Sequence, residues 1–280
     1  MVDERCEECF LKTYRRLFRK FNVDESQQRS FLVFFNSLME RQSNFSSPEV
    51  QLKLNRKFCQ IIGVVDPFVQ EKDDSNRIAL GLYKEWKPKV GQSHNRFELA
   101  LRLAIAGNIM DYGANSAFNI EKTIERVLKA DFAIDQSKLL EERISNAKRI
   151  LYLGDNAGEI LFDRLFIETI NHDNVTYAVK SAPILNDVTM KDANDSGINR
   201  VVKVISNGYD APSTILNHCS DEFLDIYKSA DLIVSKGQGN LEGLLDVSDR
   251  RIFFALMVKC NVIAERLKVE KGSFIVHSTN

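Results

Sequence analysis

Apolar positions change their spacing near residue 145 of this 280-residue chain. Before that point they recur mainly three and four residues apart, which is the spacing of amphipathic helices. Turn signals separate the helical stretches at Ser46-Ser47-Pro48, at Asp66-Pro67 and at Pro88. The pattern therefore predicts an all-helical N-terminal region over residues 1–145.

From residue 146 onward, short apolar runs alternate with helical stretches. The runs predicted as strands are 149–153, 175–179, 201–205, 232–235, 252–258 and 274–277. The helical stretches between and after them are 160–170, 221–228 and 261–267. Strands that alternate with helices indicate a mostly parallel sheet covered on both faces. The predicted fold class is therefore α/β, with the sheet domain over residues 146–280.

Composition and charge exclude some functions. The formal net charge is −1 and no basic stripe is present, so no nucleic-acid partner is expected. No stretch approaches the roughly 20 apolar residues of a membrane span, so no membrane partner is expected. The N-terminus is polar and acidic, unlike a secretory signal. Five cysteines, an odd and sparse count, favour a reducing cytoplasm over a disulfide framework. Nothing in the pattern fixes an oligomeric state.

Polar residues follow the predicted strands at their carboxyl ends. In chain order these are Asp155-Asn156, Asn186-Asp187, Asn207-Gly208, the glycine-rich segment 236–240 and Lys259. The ends of parallel strands meet at one rim of a sheet, and ligands of open α/β sheets bind there. The sequence therefore predicts that these residues lie close together in a binding site.

The residue types at this rim suit a metal and a phosphate. Asp155, Asn156 and Asp187 can supply oxygen ligands to one divalent cation. Lys236 offers a positive charge for a phosphate, and the glycines after it let backbone N–H groups approach an anion. Each feature alone has an ordinary explanation, such as a strand–helix turn or a helix N-cap. Their occurrence on several strand ends favours a metal-assisted phosphoryl site.

Six segments carry a combined signature: 154–159, 183–189, 236–242, the CxxC opening Cys6 to Cys9, the GN-x-x-D segment within 106–113, and Lys259-Cys260. Together they resemble the damage-control phosphatases, and the CxxC opening resembles that of the archaeal and bacterial branch. This family was formerly a domain of unknown function, and it includes the acidic-residue methyltransferase-like proteins. The segments follow the order of the family along nearly the whole chain. Leu241 is a departure, because an aromatic residue is expected there.

The resemblance implies a helical N-terminal region and an α/β domain with a Rossmann-like sheet. It implies a phosphatase that removes damaged or surplus phosphorylated metabolites, such as sugar phosphates. The implied cofactor is a divalent metal, Mn²⁺, Ni²⁺, Co²⁺ or Mg²⁺. The implied metal ligands are Asp155, Asn156 and Asp187, and Asp155 and Lys236 are the expected catalytic residues. The residues expected to bind substrate or phosphate are Lys236, Gly237, Asn108, Asp111, Asn207 and Glu159.

Two mechanisms remain open at this stage. A water activated by the metal could attack the phosphorus, or Asp155 could be a nucleophile that forms an aspartyl-phosphate. Phosphatases of the second kind usually carry another acid two residues after the first. Ala157 occupies that position, so attack by water is favoured.

Other functions and one motif also remain open. An S-adenosylmethionine-dependent methyltransferase would share an acidic glycine turn after the first strand. However, Asp155 and Asn156 in that turn would place negative charge beside the carboxylate of the methionine moiety, which is unfavourable for its binding. A non-catalytic sensor of phosphorylated metabolites would use the same rim for binding only. Cys6 and Cys9 are predicted to lie on a first helix, where they are either ordinary small residues or a redox or metal contact.

Overall fold

The computed structural model describes residues 3–41, 45–107 and 117–279. Contacts within the chain divide it into two compact units, Met1–Pro67 and Phe68–Asn280. Among the described residues, no helix is both long enough and apolar enough to cross a membrane.

The first unit contains the helices α1 (Glu4–Lys20), α2 (Glu25–Met39) and α3 (Ser47–Ile62). The side chain of Asp3 caps the start of α1 by accepting a hydrogen bond from the backbone N–H of Arg5. The rings of Tyr14 on α1 and Phe31 on α2 pack with centroids 4.6 Å apart. Aromatic packing between helices therefore contributes to the core of this unit.

The second unit contains the sheet and the remaining helices. The helices are α4 (Val69–Gln92), α5 (Arg96–Gly107), α6 (Ala117–Lys129), α7 (Ser137–Asn146), α8 (Glu159–Ile170), α9 (Met190–Ser196), α10 (Asp221–Ser229), α11 (Gly237–Leu244) and α12 (Asn261–Leu267). The strands are β1 (Ile134–Asp135), β2 (Ile150–Leu153), β3 (Val175–Val179), β4 (Lys203–Ser206), β5 (Leu232–Lys236), β6 (Ile252–Met257) and β7 (Phe274–Ser278).

Within the described residues, these seven strands form one sheet in the order β1-β7-β6-β5-β2-β3-β4. Neighbouring strands are parallel except for β6 and β7, which are antiparallel. The predicted α/β class with a Rossmann-like, mostly parallel sheet is confirmed. The chain passes from β2 to β3 on one side and reaches β5 on the other. The rim between β2 and β5 is therefore the topological switch point, where ligands bind in such sheets.

The compact units do not follow the division predicted from the sequence, 1–145 and 146–280. That division marks the change in apolar spacing, whereas the structure assigns α4 and α5 to the same unit as the sheet. The reason is packing, since α5 and α4 both lie against α8. The short strand β1 also joins this sheet, by pairing with β7.

Alternation along β2 gives each face of the sheet its own core. Ile150 and Tyr152 belong to the apolar cluster that includes α5 and α8. Leu151 and Leu153 belong to the other cluster, which includes α10 and α12. All four residues are buried, because successive side chains of a strand point to opposite faces and both faces carry helices. The rigid rim that results holds the candidate site.

Candidate active site

Two loops at the switch point are joined by their backbones. The N–H of Ala157 donates to the carbonyl oxygen of Asn186 at 2.8 Å, and the N–H of Val188 donates to that of Asp155 at 2.8 Å. Asn156 and Asp187 thereby form an isolated antiparallel bridge. The structure thus brings together the three residues expected to be metal ligands, and their role as ligands stays a prediction.

The side chain of Asn156 is oriented by two carboxylates. Its Nδ2 donates to Oδ2 of Asp155 at 2.5 Å and to Oε2 of Glu159 at 3.2 Å. Because the amide nitrogen faces both acids, its Oδ1 is the atom left for another partner. Asp155 and Asn156 are each only 6% exposed, so these contacts lie in a weakly solvated environment.

Asp187 is an unusual buried carboxyl group. Its Oδ2 accepts no hydrogen bond from any described residue, and it lies 3.7 Å from Nζ of Lys180. Burial raises the pKa of Asp187 well above its ordinary value; Lys180 opposes that rise and Asp155 adds to it. A desolvated carboxylate oxygen with no hydrogen bond is costly. This atom therefore fits a cation ligand better than a purely structural role.

No cluster of three or more His, Cys, Asp or Glu side chains arranged to hold a metal occurs among the described residues. The candidate set instead combines two carboxylates with one carboxamide. That combination still suits a hard divalent cation, because such ions accept carbonyl oxygens and waters alongside carboxylates.

Lys236 has a different environment from the one expected. Its ammonium group is fully buried and donates to the carbonyl oxygen of Ala104 at 2.9 Å, to Oε1 of Glu159 at 2.6 Å and to Oδ1 of Asp163 at 2.6 Å. An ammonium has three donors, and all three are used here. In this structure all donors of Lys236 are directed at protein oxygens, and Glu159 accepts from Lys236 and Asn156, so the phosphate contacts predicted for Lys236 and Glu159 stay predictions.

Asp163 is the member of this buried cluster that the sequence interpretation missed. It accepts hydrogen bonds from Tyr152 Oη at 2.7 Å and Tyr177 Oη at 2.9 Å, besides the bond from Lys236. Burial raises the pKa of Asp163 to about 6, although the neighbouring Lys236 opposes that rise. Burial by itself lowers the pKa of Lys236, but the carboxylates of Asp163 and Glu159 raise it above its ordinary value. An acid one turn after Glu159 in an otherwise apolar helix was the available signal.

Lys180 and Asn240 complete the rim. The Nζ of Lys180 donates to Oδ1 of Asn240 at 3.0 Å, and Nδ2 of Asn240 donates to the carbonyl oxygens of Gly154 and Lys236. Asn240 therefore joins the ends of β2 and β5 and holds Lys180 beside Asp187. Lys180 was also missed, although its position directly after an apolar strand was a signal.

The structure describes some of the remaining predicted site residues and leaves others outside the described part of the chain. The Oδ1 of Asn207 accepts a hydrogen bond from the N–H of Tyr209, so the side chain is engaged in its own turn. Asn108 and Asp111 lie outside the described residues. Cys6 is half-buried and Cys9 is exposed on α1, and neither forms a disulfide. Their redox or metal role stays a prediction.

Gly237 is needed because the backbone passes very close to Asp155. It has a φ of +77°, and a Cβ placed there would lie 1.8 Å from Oδ2 of Asp155. We expect Gly237→Ala to destabilise the fold by about 1–2 kcal/mol from backbone strain alone and to displace the carboxylate. Urea unfolding and Mn²⁺ titration measure the two effects.

Gly81→Ala is the matched control for Gly237→Ala. Gly81 lies inside α4 with nothing within 4 Å of its Cβ position, so alanine should stabilise the helix by up to about 1 kcal/mol. A Gly237→Ala protein as stable and as active as the parent would contradict the close approach to Asp155.

Comparison with known proteins identifies the family of this chain. The family model of the damage-control phosphatase ARMT1-like domain matches residues 2–275. The chain belongs to this family. A damage-control phosphatase from Pyrococcus horikoshii is 34% identical over 280 residues, covering 98% of this chain and 96% of that protein. Another from Archaeoglobus fulgidus is 30% identical over 243 residues, covering 83% and 84%.

A solved structure extends the likeness to the fold of the family. The crystal structure of a DUF89 family protein from Pyrococcus horikoshii superposes with a TM-score of 0.89 at 33% identity, covering 100% of this chain and 99% of that one. Membership of the ARMT1-like damage-control phosphatases supports a phosphatase-type role in metabolite repair.

Proposed function

We propose that this chain is a metal-dependent phosphatase that hydrolyses phosphomonoesters of small metabolites, such as sugar phosphates. Family membership supports the phosphatase reaction. The observation that carries the metal dependence is Oδ2 of Asp187, a buried carboxylate oxygen that accepts no hydrogen bond from the described residues. A cation beside it would offset the cost of burying that charge.

The residues that would hold the cation are Asp155, Asn156 and Asp187. Two carboxylates and a carboxamide oxygen suit Mg²⁺ and Mn²⁺, and Co²⁺ and Ni²⁺ also accept such ligands. A divalent cation there supplies charge stabilisation for phosphoryl oxygens and lowers the pKa of a coordinated water.

Lys180 would supply the positive charge for the phosphoryl group. Its Nζ lies beside Asp187, and among the described residues that Nζ donates one hydrogen bond, to Oδ1 of Asn240. Since an ammonium has three donors, Lys180 can donate to phosphate oxygens while keeping that bond. This role replaces the one predicted for Lys236, whose donors all point to protein oxygens.

In the proposed reaction, a water oxygen bonds to the phosphorus and the ester P–O bond breaks. The products are inorganic phosphate and the alcohol, so one water is consumed. Attack by water is favoured over attack by Asp155, because Ala157 stands where aspartyl-phosphate enzymes carry their second acid. Lys180 offsets the negative charge of the phosphoryl group during the transfer.

Phosphate release tests the proposal directly. Metal-stripped protein is given p-nitrophenyl phosphate or a panel of sugar phosphates, with Mn²⁺, Co²⁺, Ni²⁺ or Mg²⁺ added separately. We expect turnover only with added cation, and an Asp155→Ala variant should lose about 10³-fold, since a ligand and its charge are removed. Asp173→Ala is the control, because Asp173 is exposed on the loop before β3.

Three outcomes would contradict the proposal. Full activity of Asp155→Ala would exclude the site, and full activity after removal of divalent metals would exclude the metal dependence. Absence of turnover with any metal, from folded protein, would favour a non-catalytic sensor. A thermal shift with S-adenosylmethionine would then test the methyltransferase alternative, since a ligand raises the melting temperature of the state it binds.

A further inference from the structure

Asn76 lies on α4, far from the candidate ligands in sequence, and contacts the turn that carries Asp155 and Asn156 and the helix α9 that follows the Asp187 loop. Its Oδ1 accepts a hydrogen bond from the N–H of Gly158 at 2.7 Å. Its Nδ2 donates to Oδ1 of Asp192 at 3.0 Å. The side chain is buried, so both bonds form in a weakly solvated environment.

Gly158 lies in the turn after β2, and Asp192 lies on α9 and binds the end of the loop after β3. Gly158 ends the turn that contains Asp155 and Asn156, with a φ of +78°, and it precedes α8. Oδ2 of Asp192 accepts from the backbone N–H and the hydroxyl of Thr189, two residues after Asp187. A single carboxamide therefore spans the gap between the turn after β2 and the loop after β3.

A second residue of α4 supports the same arrangement. Nζ of Lys72, about one turn before Asn76, lies 4.0 Å from Oδ2 of Asp192. Asp192 is fully buried and Lys72 is only 3% exposed. The charge of Lys72 therefore offsets that of Asp192 and helps to hold the carboxylate that Asn76 contacts.

We propose that Asn76 is a positioning residue that sets the distance between the Asp155–Asn156 turn and the Asp187 loop, and so the affinity of the site for a divalent cation. This inference rests on the proposed function. Asn76 acts through Gly158 and Asp192 and touches neither the cation nor the substrate. Partners that orient metal ligands in this way commonly change metal affinity by about 10–100-fold when they are lost.

The cavity beside Asn76 separates this role from a purely structural one. A cavity of about 260 Å³ is lined by Asn76 together with Leu161 and Ser196. Truncation of Asn76 enlarges this cavity, and we expect a water there to accept the hydrogen bond that the Gly158 N–H loses. We therefore expect a change in cation affinity that is large compared with the change in stability.

Isothermal titration of the full chain with Mn²⁺, after metal removal, is the test. Asn76→Ala should raise the Kd for Mn²⁺ about tenfold or more. Asn76→Asp should also weaken binding, because it sets two carboxylates against each other. The double variant Asn76→Asp with Asp192→Asn places a carboxylate at 76 and an amide donor at 192, so that the hydrogen bond forms in the reverse direction. It should recover most of the affinity for Mn²⁺. Asn55→Ala, at another buried asparagine, is the control.

The outcomes distinguish this inference from the proposed function. If the parent binds Mn²⁺ and the Asn76 variants bind it equally well, the positioning role is overturned and the proposed function stands. If Asn76→Ala lowers the melting temperature as much as Asn55→Ala but leaves the Kd unchanged, Asn76 is structural only. If the parent does not bind Mn²⁺, both the metal site and the positioning role are overturned.

Discussion

Asp187→Asn is expected to abolish cation binding while leaving the cation-free protein at least as stable as the parent. The buried Oδ2 of Asp187 has no hydrogen bond from the described residues, and burial raises its pKa well above the ordinary value. Lys180 lies 3.7 Å from this oxygen, but the pKa of Asp187 is raised despite Lys180, so burial outweighs that attraction. A neutral amide of the same shape therefore removes more desolvation cost than it loses in attraction. We expect phosphate release to fall about 10³-fold, because a charged ligand is lost.

Thermal unfolding with and without Mn²⁺ measures both halves of this prediction. The parent should gain melting temperature with Mn²⁺, because a ligand that binds only the folded state stabilises it. Asp187→Asn should not gain. In chelator, its melting temperature should equal or exceed that of the parent.

The dependence on pH follows from the direction of the pKa shift. Because folding raises the pKa of Asp187, its contribution to stability is present below the unfolded pKa, near 3.8, and is lost as pH rises through the folded pKa. In chelator, the advantage of Asp187→Asn over the parent should therefore be larger at pH 7 than at pH 4.

Asp249→Asn is the matched control, with the opposite expectation. Asp249 accepts hydrogen bonds from Arg251 and Tyr227 away from the site. Those bonds outweigh burial and lower the pKa of Asp249. Its amide should therefore lose stability and leave the Mn²⁺ response intact. If Asp187→Asn instead lost stability and kept the Mn²⁺ response, Asp187 would be a structural residue.

Lys236→Met is expected to destabilise the protein by about 3–5 kcal/mol, the usual cost of removing one partner from a buried ion pair. Methionine leaves Glu159 and Asp163 facing each other with no positive charge between them. The lower free energy of unfolding should be seen in urea unfolding of the protein in the absence of phosphate. Adding Asp163→Asn to Lys236→Met should recover part of the lost stability, because one of the two carboxylates is then neutral.

A control variant and a contradicting outcome test the prediction for Lys236. Lys228→Met, on an exposed position of α10, should change stability by less than about 0.5 kcal/mol. A Lys236→Met protein of normal stability whose KM for a phosphomonoester rises would restore the phosphate-binding role first predicted for this lysine.

The strands were predictable where apolar runs are strong and long. The predicted run 175–179 is β3, and the predicted helix 261–267 is α12. The two-residue strand β1 was missed because alternation cannot show in so few residues. The helix α9 was missed because it is short and polar, and its buried Asp192 is stabilised by partners distant in sequence.

The candidate site was predictable only as far as strand ends specify it. Asp155, Asn156 and Asp187 meet because β2 and β3 are parallel neighbours, which the pattern indicated. The environment of Lys236 depends on how α8 packs against the end of β5. The spacing of apolar residues along the chain does not predict this packing. The link through Asn76 joins residues about 80 and 120 positions apart and needs the packed structure.

The buried Oδ2 of Asp187, which accepts no hydrogen bond from the described residues, also has a consequence for protein turnover in the cell. If a cation is what offsets that buried charge, the fraction of unfolded molecules rises when the cation is scarce. Unfolded molecules are the substrates of proteases, and a change of 1–2 kcal/mol alters cellular abundance several-fold. Metal supply would then control the cellular amount of this protein as well as the turnover rate of each molecule. Scarcity of the cation would lower the concentration of the protein.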